Sequence, residues 1–198
     1  MSRNIKMLFF VLVMGLVTSG LLLGADTITK ERIEMNQQAQ LQSAILDAYE
    51  LDYQIANIGQ IFDDYIETRE IDGLTFYIVR ETGEISYQFS GLGVWGEIRA
   101  VISFEEDFET IRRIRVLQQE ETPGLGGVIA DEGYLENFIG KSMADGILIS
   151  QTADDTLDSE VDAITGATRT SYAFEGMLND SYETYKEVWT EEGGHGDA

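Results

Sequence analysis

An uncharged apolar run near the N-terminus constrains this chain more than any other feature. Residues 7–25, MLFFVLVMGLVTSGLLLGA, number 19, close to the ~20 residues that an α-helix needs to cross a hydrocarbon core of about 30 Å. The run therefore predicts one transmembrane helix. The alternative is a signal peptide cleaved after Leu23-Gly24-Ala25, although the run is longer than the roughly 7–15 residues of a typical signal-peptide core.

The charges that flank this run predict its orientation. Arg3 and Lys6 precede it and Asp26 follows it, and the positive-inside rule keeps the basic side in the cytoplasm. We therefore expect residues 1–6 to be cytoplasmic in a single-pass protein of the inner or plasma membrane. Everything after residue 25 is expected on the extracytoplasmic side, periplasmic or extracellular.

The amino-acid composition limits the kinds of cofactor and catalytic site that this chain can carry. The chain has no cysteine, and its single histidine, His195, lies in a glycine-rich tail. This excludes iron–sulfur clusters, c-type haem and thiol nucleophiles, and it argues against histidine metal sites and Ser-His-Asp triads. A redox protein of this composition needs an organic cofactor held by hydroxyls, backbone amides and carboxylates. We predict no metal site.

The chain is strongly acidic, with a formal net charge of −23. Nucleic acids and anionic lipid surfaces are therefore poor partners. The acidity fits a solubility device, a salty medium or cationic redox partners, and the sequence leaves these three explanations open.

Hydrophobic periodicity predicts the organisation after the membrane span. Residues 26–52 are expected to form a stalk helix, with Leu41, Ala44, Ile45 and Ala48 on one face. Residues 53–190 are expected to form one extracytoplasmic domain, followed by a disordered tail at 191–198. Strands are predicted at 74–80, 85–90, 97–104, 111–118 and 146–150, with a short helix at 129–139 and a final helix at 167–189. The predicted fold class is α+β, with an antiparallel or mixed sheet packed by helices.

The start of the final helix carries the most informative motif. Asp162-Ala163-Ile164-Thr165-Gly166-Ala167-Thr168-Arg169-Thr170-Ser171 places four hydroxyl side chains around a helix start. Unpaired N–H groups and the helix dipole favour a phosphate at such a position. Gly166 permits close backbone approach, and Thr168 offers an oxygen for a phosphoester. From the residues alone, a capped helix after a tight turn is the competing interpretation.

This segment resembles the flavinylation motif of the FMN-binding domain family. In that family the last threonine, here Thr168, is esterified to the FMN phosphate by a flavin transferase that uses FAD as donor. Asp162, Thr165, Gly166 and Ala167 match the motif, although Thr168 follows Ala167 directly, without an intervening residue. The resemblance implies covalent FMN on Thr168, with Thr165, Gly166 and Ala167 lining its site.

Two further stretches extend the resemblance over nearly the whole chain. Glu121-Thr122-Pro123-Gly124-Leu125-Gly126 is similar to a signature of the G subunit of Rnf-type ion-translocating oxidoreductases and the C subunit of sodium-translocating NADH:quinone reductases. The segment 91–96, GLGVWG, resembles a glycine-rich stretch upstream of that signature. Each stretch also has a purely structural interpretation, since 121–126 reads as a Pro-Gly turn and Trp95 as a core or hairpin aromatic.

The resemblance implies that Glu121 and Thr122 hydrogen-bond the flavin, that the 121–126 backbone lies along the ring, and that Trp95 stacks on it. The implied function is a non-catalytic electron-carrier subunit of a membrane ion-translocating oxidoreductase complex. Its partners would be the other membrane subunits and the flavin transferase. Two alternatives stay open: a stand-alone flavoprotein of extracellular electron transfer, and a redox-silent anchored binding domain.

Overall fold

The structure, a computed structural model, describes residues 2–154 and 157–191. His195 and the predicted disordered tail, apart from Glu191, lie outside the described residues. The chain divides into two compact units, whose boundary falls between Gln40 and Leu41.

The first unit is helical and carries the apolar run. Helix α1 spans Arg3–Ala48, and its N-terminal part is the one stretch of the described chain with the length and hydropathy of a membrane span. None of the residues in that apolar window is buried within the protein. A signal sequence near the N-terminus can meet the same criteria of length and hydropathy.

The second unit is an α+β domain built on an antiparallel meander, which confirms the predicted fold class. Five strands lie in sequence order in one sheet. They are β1 (Ile66–Ile71), β2 (Leu74–Val79), β3 (Ile85–Leu92), β4 (Glu97–Phe104) and β5 (Ile111–Gln118). The other elements are α2 (Ile58–Tyr65), α3 (Glu132–Leu135), α4 (Thr168–Glu191), and the parallel pair β6 (Leu148–Ser150) and β7 (Glu160–Asp162). Short 3-10 helices occupy Ile55–Asn57, Gly126–Ala130 and Glu136–Phe138.

Helix α4 covers one face of the five-stranded sheet. Because side chains alternate across a strand, Phe76 and Ile78 of β2 point to the same face, and both belong to the core that includes α4. The rings of Tyr87 on β3 and Tyr185 on α4 stack with centroids 3.8 Å apart. The final helix is therefore fixed to the sheet by an aromatic core, and its first residue has a defined position.

The opposite face of the sheet holds the last turns of α1, together with α2. Val79 and Val101, which alternate with the α4-facing residues, pack in a second core with Ala44, Ile45 and Ala48. This is the helix face that the hydrophobic periodicity of the sequence predicts. The Tyr49 hydroxyl also lies 2.8 Å from the Ser86 hydroxyl of β3, within hydrogen-bonding distance.

Several elements differ from those that the sequence predicts. Helix α1 ends at Ala48 rather than near residue 52, because Glu50 has a φ of 55° and the Leu51 N–H donates to the Leu46 carbonyl, which closes the helix. The helix predicted at 129–139 is broken into two 3-10 turns around α3, and strand 146–150 is shortened to β6. Helix α2 and strands β1 and β7 are not predicted.

Candidate functional site

The loop between β7 and α4 places Thr168 at the first position of a 24-residue helix. A tight turn precedes it: the Ala167 N–H donates to the Ile164 carbonyl at 2.9 Å, and Gly166 adopts a φ of +79°. The Ser171 hydroxyl accepts a hydrogen bond from the Ile164 N–H at 3.0 Å, which holds the turn against the helix. Gly166 is needed here because a side chain at this φ is strained.

The hydroxyl residues of this turn divide into two groups. Thr170 and Ser171 are buried in the domain, whereas Thr168 is half-buried and Thr165 is exposed. The Thr168 Oγ1 accepts a hydrogen bond of 3.4 Å from the amide of Gln151. Thr168 is therefore the hydroxyl that combines a position at the helix start with access from outside.

Glu121 connects two distant segments of the site. Its side chain is only 5% exposed, and its Oε1 accepts hydrogen bonds from the backbone N–H groups of Val94 at 2.7 Å and Trp95 at 2.9 Å. Its Oε2 accepts a hydrogen bond from the Thr170 hydroxyl at 2.7 Å. The carboxylate therefore ties the loop that carries Trp95 to the first turn of α4.

Two glycines permit this close approach. A Cβ atom on Gly126 would lie 2.5 Å from the Glu121 Oε2 and 2.7 Å from the Thr170 Oγ1, and a Cβ on Gly93 would lie 2.5 Å from the Glu121 Oε1. Real Cβ atoms do not make contacts this short. The three segments 93–95, 121–126 and 165–170 can therefore meet around Glu121 only because these two positions lack side chains.

The segment 121–126 forms a surface turn. The Thr122 carbonyl accepts hydrogen bonds from the N–H groups of Leu125 and Gly127, and Gly124 has a φ of +74°. Thr122, Pro123 and Gly124 are exposed. Gly126 does not adopt a positive φ and is buried against Glu121 and Thr170.

Large apolar side chains remain exposed around the helix start. Trp95 is 71% exposed and Leu92 is 82% exposed. Trp95 lies in the loop that joins the antiparallel strands β3 and β4, so it is a hairpin aromatic and not a core one. Leu125, 46% exposed, has its Cδ2 3.3 Å from the position of a Cβ on Gly166. Tyr172 is half exposed and lies four residues after Thr168, on the same face of α4. We call Leu92, Trp95, Leu125 and Tyr172 the exposed apolar rim.

A half-buried tyrosine, Tyr134, lies beside the same turn. Burial raises the pKa of Tyr134 to about 12, and the negative charge of Asp162 acts in the same direction against the lowering effect of the Ser171 hydroxyl. Tyr134 is therefore protonated at physiological pH.

Four contributors to the site are absent from the set predicted from sequence. Two of them carry a sequence signal. Gly93 lies in the glycine-rich stretch 91–96, and Tyr172 lies four residues after Thr168, a spacing that puts both on the same face of a helix. No sequence signal indicates that Thr170 binds Glu121 or that Gln151 reaches Thr168, since those partners are 49 and 17 residues apart. The described residues contain no cluster of three or more His, Asp or Glu side chains able to hold a metal ion.

A family model matches the part of the chain that holds this site. Residues 93–183, which include Trp95, Glu121 and Thr168, match the family model described as FMN-binding domain. The chain is similar to the C subunit of the Na(+)-translocating NADH-quinone reductase of Neisseria meningitidis serogroup B, with 32% identity over 101 residues. That alignment covers 48% of this chain and 39% of the Neisseria protein.

A longer alignment relates the chain to the C subunit of the Na(+)-translocating NADH-quinone reductase of Vibrio anguillarum, with 24% identity over 88% of this chain and 90% of that protein. Two crystal structures share the fold. NqrC of Shewanella oneidensis has a TM-score of 0.64 at 18% identity, covering 74% of this chain and 92% of its own. The C subunit of the Parabacteroides distasonis reductase has a TM-score of 0.66 at 20% identity, covering 81% and 96%.

Proposed function

Because residues 93–183 match the family model described as FMN-binding domain, we propose that this chain is a membrane-anchored electron carrier that holds FMN covalently on Thr168. The observation that carries the proposal is the position of the Thr168 hydroxyl. It is half-buried, it stands at the first residue of α4, and it follows the turn of the family's flavinylation motif.

The residues present fit an FMN phosphate at the helix start. The N–H groups of a helix's first turn lack intrahelical acceptors, and the helix dipole favours negative charge there. Within residues 2–154 and 157–191, the hydrogen bond made by the Thr168 side chain is the 3.4 Å contact with Gln151. At 3.4 Å this hydrogen bond is weak, so it can be replaced when the Thr168 oxygen forms a new bond.

The attachment forms one bond and breaks one. The Thr168 Oγ1 bonds to the phosphorus of the FMN half of FAD, and the P–O bond from that phosphorus to the bridging oxygen breaks. AMP leaves with the bridging oxygen, and the hydroxyl proton is released. The flavin transferase is the partner that catalyses this step. The phosphoester retains the cofactor on the extracytoplasmic side, where free FMN would be lost.

The exposed apolar rim fits the flat ring of the flavin. Aromatic and apolar side chains on a surface bury area when they meet such a ring, and Trp95 is held in place through its backbone N–H by Glu121. The turn at 122–124 exposes backbone beside Leu125. We propose that Trp95 and the exposed residues 122–125 of the turn contact the ring, while Thr165, Gly166 and Ala167 shape the phosphate end.

We propose that the chain acts within a membrane oxidoreductase complex of the Rnf or sodium-translocating NADH:quinone reductase type. The similar proteins from Neisseria and Vibrio, both named as the C subunit of the latter complex, favour that type. FMN supplies reversible electron transfer when bound. The protein holds and orients it, so NADH oxidation and ion pumping belong to other subunits.

The covalent link is tested by expressing the full chain with a flavin transferase and running it on a denaturing gel. A phosphoester survives unfolding, so we expect flavin fluorescence on the band of the wild type and none on that of Thr168→Val. Thr190→Val is the matched control, because Thr190 lies exposed near the end of the same helix. A band of equal fluorescence from Thr168→Val would reject the assignment.

The assignment to a complex is tested separately. An affinity-tagged chain, extracted from its native membrane in mild detergent, should migrate on a native gel with other membrane subunits. Migration of the yellow protein at its own mass would instead favour the stand-alone flavoprotein.

A further inference from the structure

Two glutamate side chains are buried among the residues that the structure describes, Glu84 and Glu121. They differ in how their charge is compensated. Glu84 forms an ion pair of 2.7 Å with Arg112, whereas the ion pairs of residues 2–154 and 157–191 do not include Glu121. A buried charge without a cation is costly. We therefore ask what the unpaired charge of Glu121 does in this domain.

The partners of Glu121 explain how its charge is accommodated. Two backbone N–H groups and one hydroxyl donate to its two oxygens, all within 2.9 Å. Hydrogen bonds to an ionised acceptor are about twice as strong as neutral ones. The bonds stabilise the carboxylate in place, yet they leave one full negative charge in the wall of the site.

The charge of Glu121 lies between the Trp95 loop and the first turn of α4. Thr170, which donates to Glu121, lies two residues after Thr168 on the same helix turn, and Trp95, which also donates, belongs to the exposed apolar rim. Both oxygens of the carboxylate are engaged by protein groups. Glu121 therefore acts behind the surface that faces the ligand.

We propose that Glu121 is a positioning residue that also lowers the reduction potential of the FMN, by fixing the Trp95 loop to the first turn of α4 and by keeping an uncompensated negative charge in that wall. The proposal rests on the function proposed above. Reduced FMN carries more negative charge than oxidised FMN, so a nearby buried anion disfavours reduction. Because the carboxylate is buried, salt screens its charge less than it screens the acidic surface.

The geometry allows the two roles to be separated. In Glu121→Gln, the amide oxygen can accept the bonds from Val94 and Trp95, and the amide nitrogen can donate to the Thr170 hydroxyl. This variant keeps the loop and removes the charge. Glu121→Ala removes both.

The charge is tested by measuring the flavin midpoint potential of the intact protein carrying its flavin. We expect Glu121→Gln to keep the flavin on the protein, with a potential shifted positive of the wild type. Glu120→Gln is the matched control, since Glu120 is the adjacent, exposed glutamate, and it should produce a clearly smaller shift. An unchanged potential in Glu121→Gln, or an equal shift in both variants, would overturn the role of the charge.

The positioning role is tested without any flavin, in the Thr168→Val background. The amide protons of Val94 and Trp95 should exchange slowly with either Glu or Gln at position 121. They should exchange roughly tenfold faster or more in Glu121→Ala, as expected for loss of a charge-assisted hydrogen bond. Equal exchange in all three proteins would overturn this role. A wild type that carries no flavin would instead contradict the proposed function, and the exchange measurement would still decide the positioning role.

Discussion

The carboxylate of Glu121 accepts a hydrogen bond of 2.7 Å from the hydroxyl of Thr170, across 49 residues of sequence. This contact joins the 121–126 turn to the helix that begins at Thr168. It also separates the roles of two threonines in one helix turn. Thr170 is buried and bound to the protein, whereas Thr168 is half-buried and accessible to a ligand.

Thr170→Val should destabilise the domain without removing the flavin. The substitution leaves the Glu121 Oε2 without its donor in a buried site, which costs about 1–3 kcal/mol. The free energy of unfolding, measured by chemical denaturation, should fall by that amount, while flavin fluorescence persists on the denatured protein. Thr170→Ser keeps the hydroxyl and should lose much less. Loss of flavin together with unchanged stability in Thr170→Val would show that the two threonines have the reverse roles.

The two glycines of the 121–126 turn should respond differently to alanine. At Gly126 a Cβ would lie 2.5 Å from the Glu121 Oε2, whereas at Gly124 no atom lies within 4 Å of it. We expect Gly124→Ala to cost only the strain of its positive φ, about 1–2 kcal/mol, with the flavin spectrum retained. Gly126→Ala should cost more and should shift the flavin absorption and circular dichroism, because it displaces Glu121 or Thr170. Equal stability and unaltered spectra in both variants would contradict this account.

The sequence predicts most of the strands and helices, but few of the hydrogen bonds that join distant segments of the site. Strands β2 to β5 and the apolar stripe of α4 are visible as periodic patterns, because their core-facing residues recur at regular spacing. Strand β1 is not predicted because three of the six residues of IETREI are charged and the strand lies at the sheet edge. The position of Thr168 follows from a local motif. The hydrogen bond between Glu121 and Thr170 joins distant segments, and only the tertiary fold reveals it.

Arg112 fastens the end of α1 to the sheet, and its removal should be costly. Its Nε donates to the Ala48 carbonyl at 2.7 Å, and its Nη1 contacts Glu84 at 2.7 Å and Glu105 at 2.9 Å. Arg112→Ala leaves the buried Glu84 unpaired, so we expect a loss of about 3–5 kcal/mol in the free energy of unfolding.

Arg113→Ala is the matched control for Arg112, since Arg113 is the next residue and is exposed. Its stability change should stay within roughly 0.5 kcal/mol. Thermal or chemical denaturation of the two variants measures the difference. Similar losses in both would indicate that Arg112 is no more than a surface charge.

The orientation across the membrane gives a further prediction. With Arg3 and Lys6 in the cytoplasm, a reporter enzyme that folds only outside the cytoplasm should be active when fused at Ala198. The same reporter fused after Lys6 should be inactive. Activity of a cytoplasm-only reporter at Ala198 would refute the orientation. The intact mass of the membrane-extracted protein should include residues 7–25, and a mass that lacks them would establish the signal-peptide alternative.

The central claim, FMN esterified to Thr168, is tested most directly by peptide mass spectrometry of the protein matured with its transferase. Trypsin should release the peptide from Ser142 to Arg169, which contains both Thr165 and Thr168. We predict that this peptide carries the mass of FMN less one water, and that fragment ions place it on Thr168. An unmodified peptide from a yellow protein, or fragment ions that place the added mass on Thr165, would contradict the account.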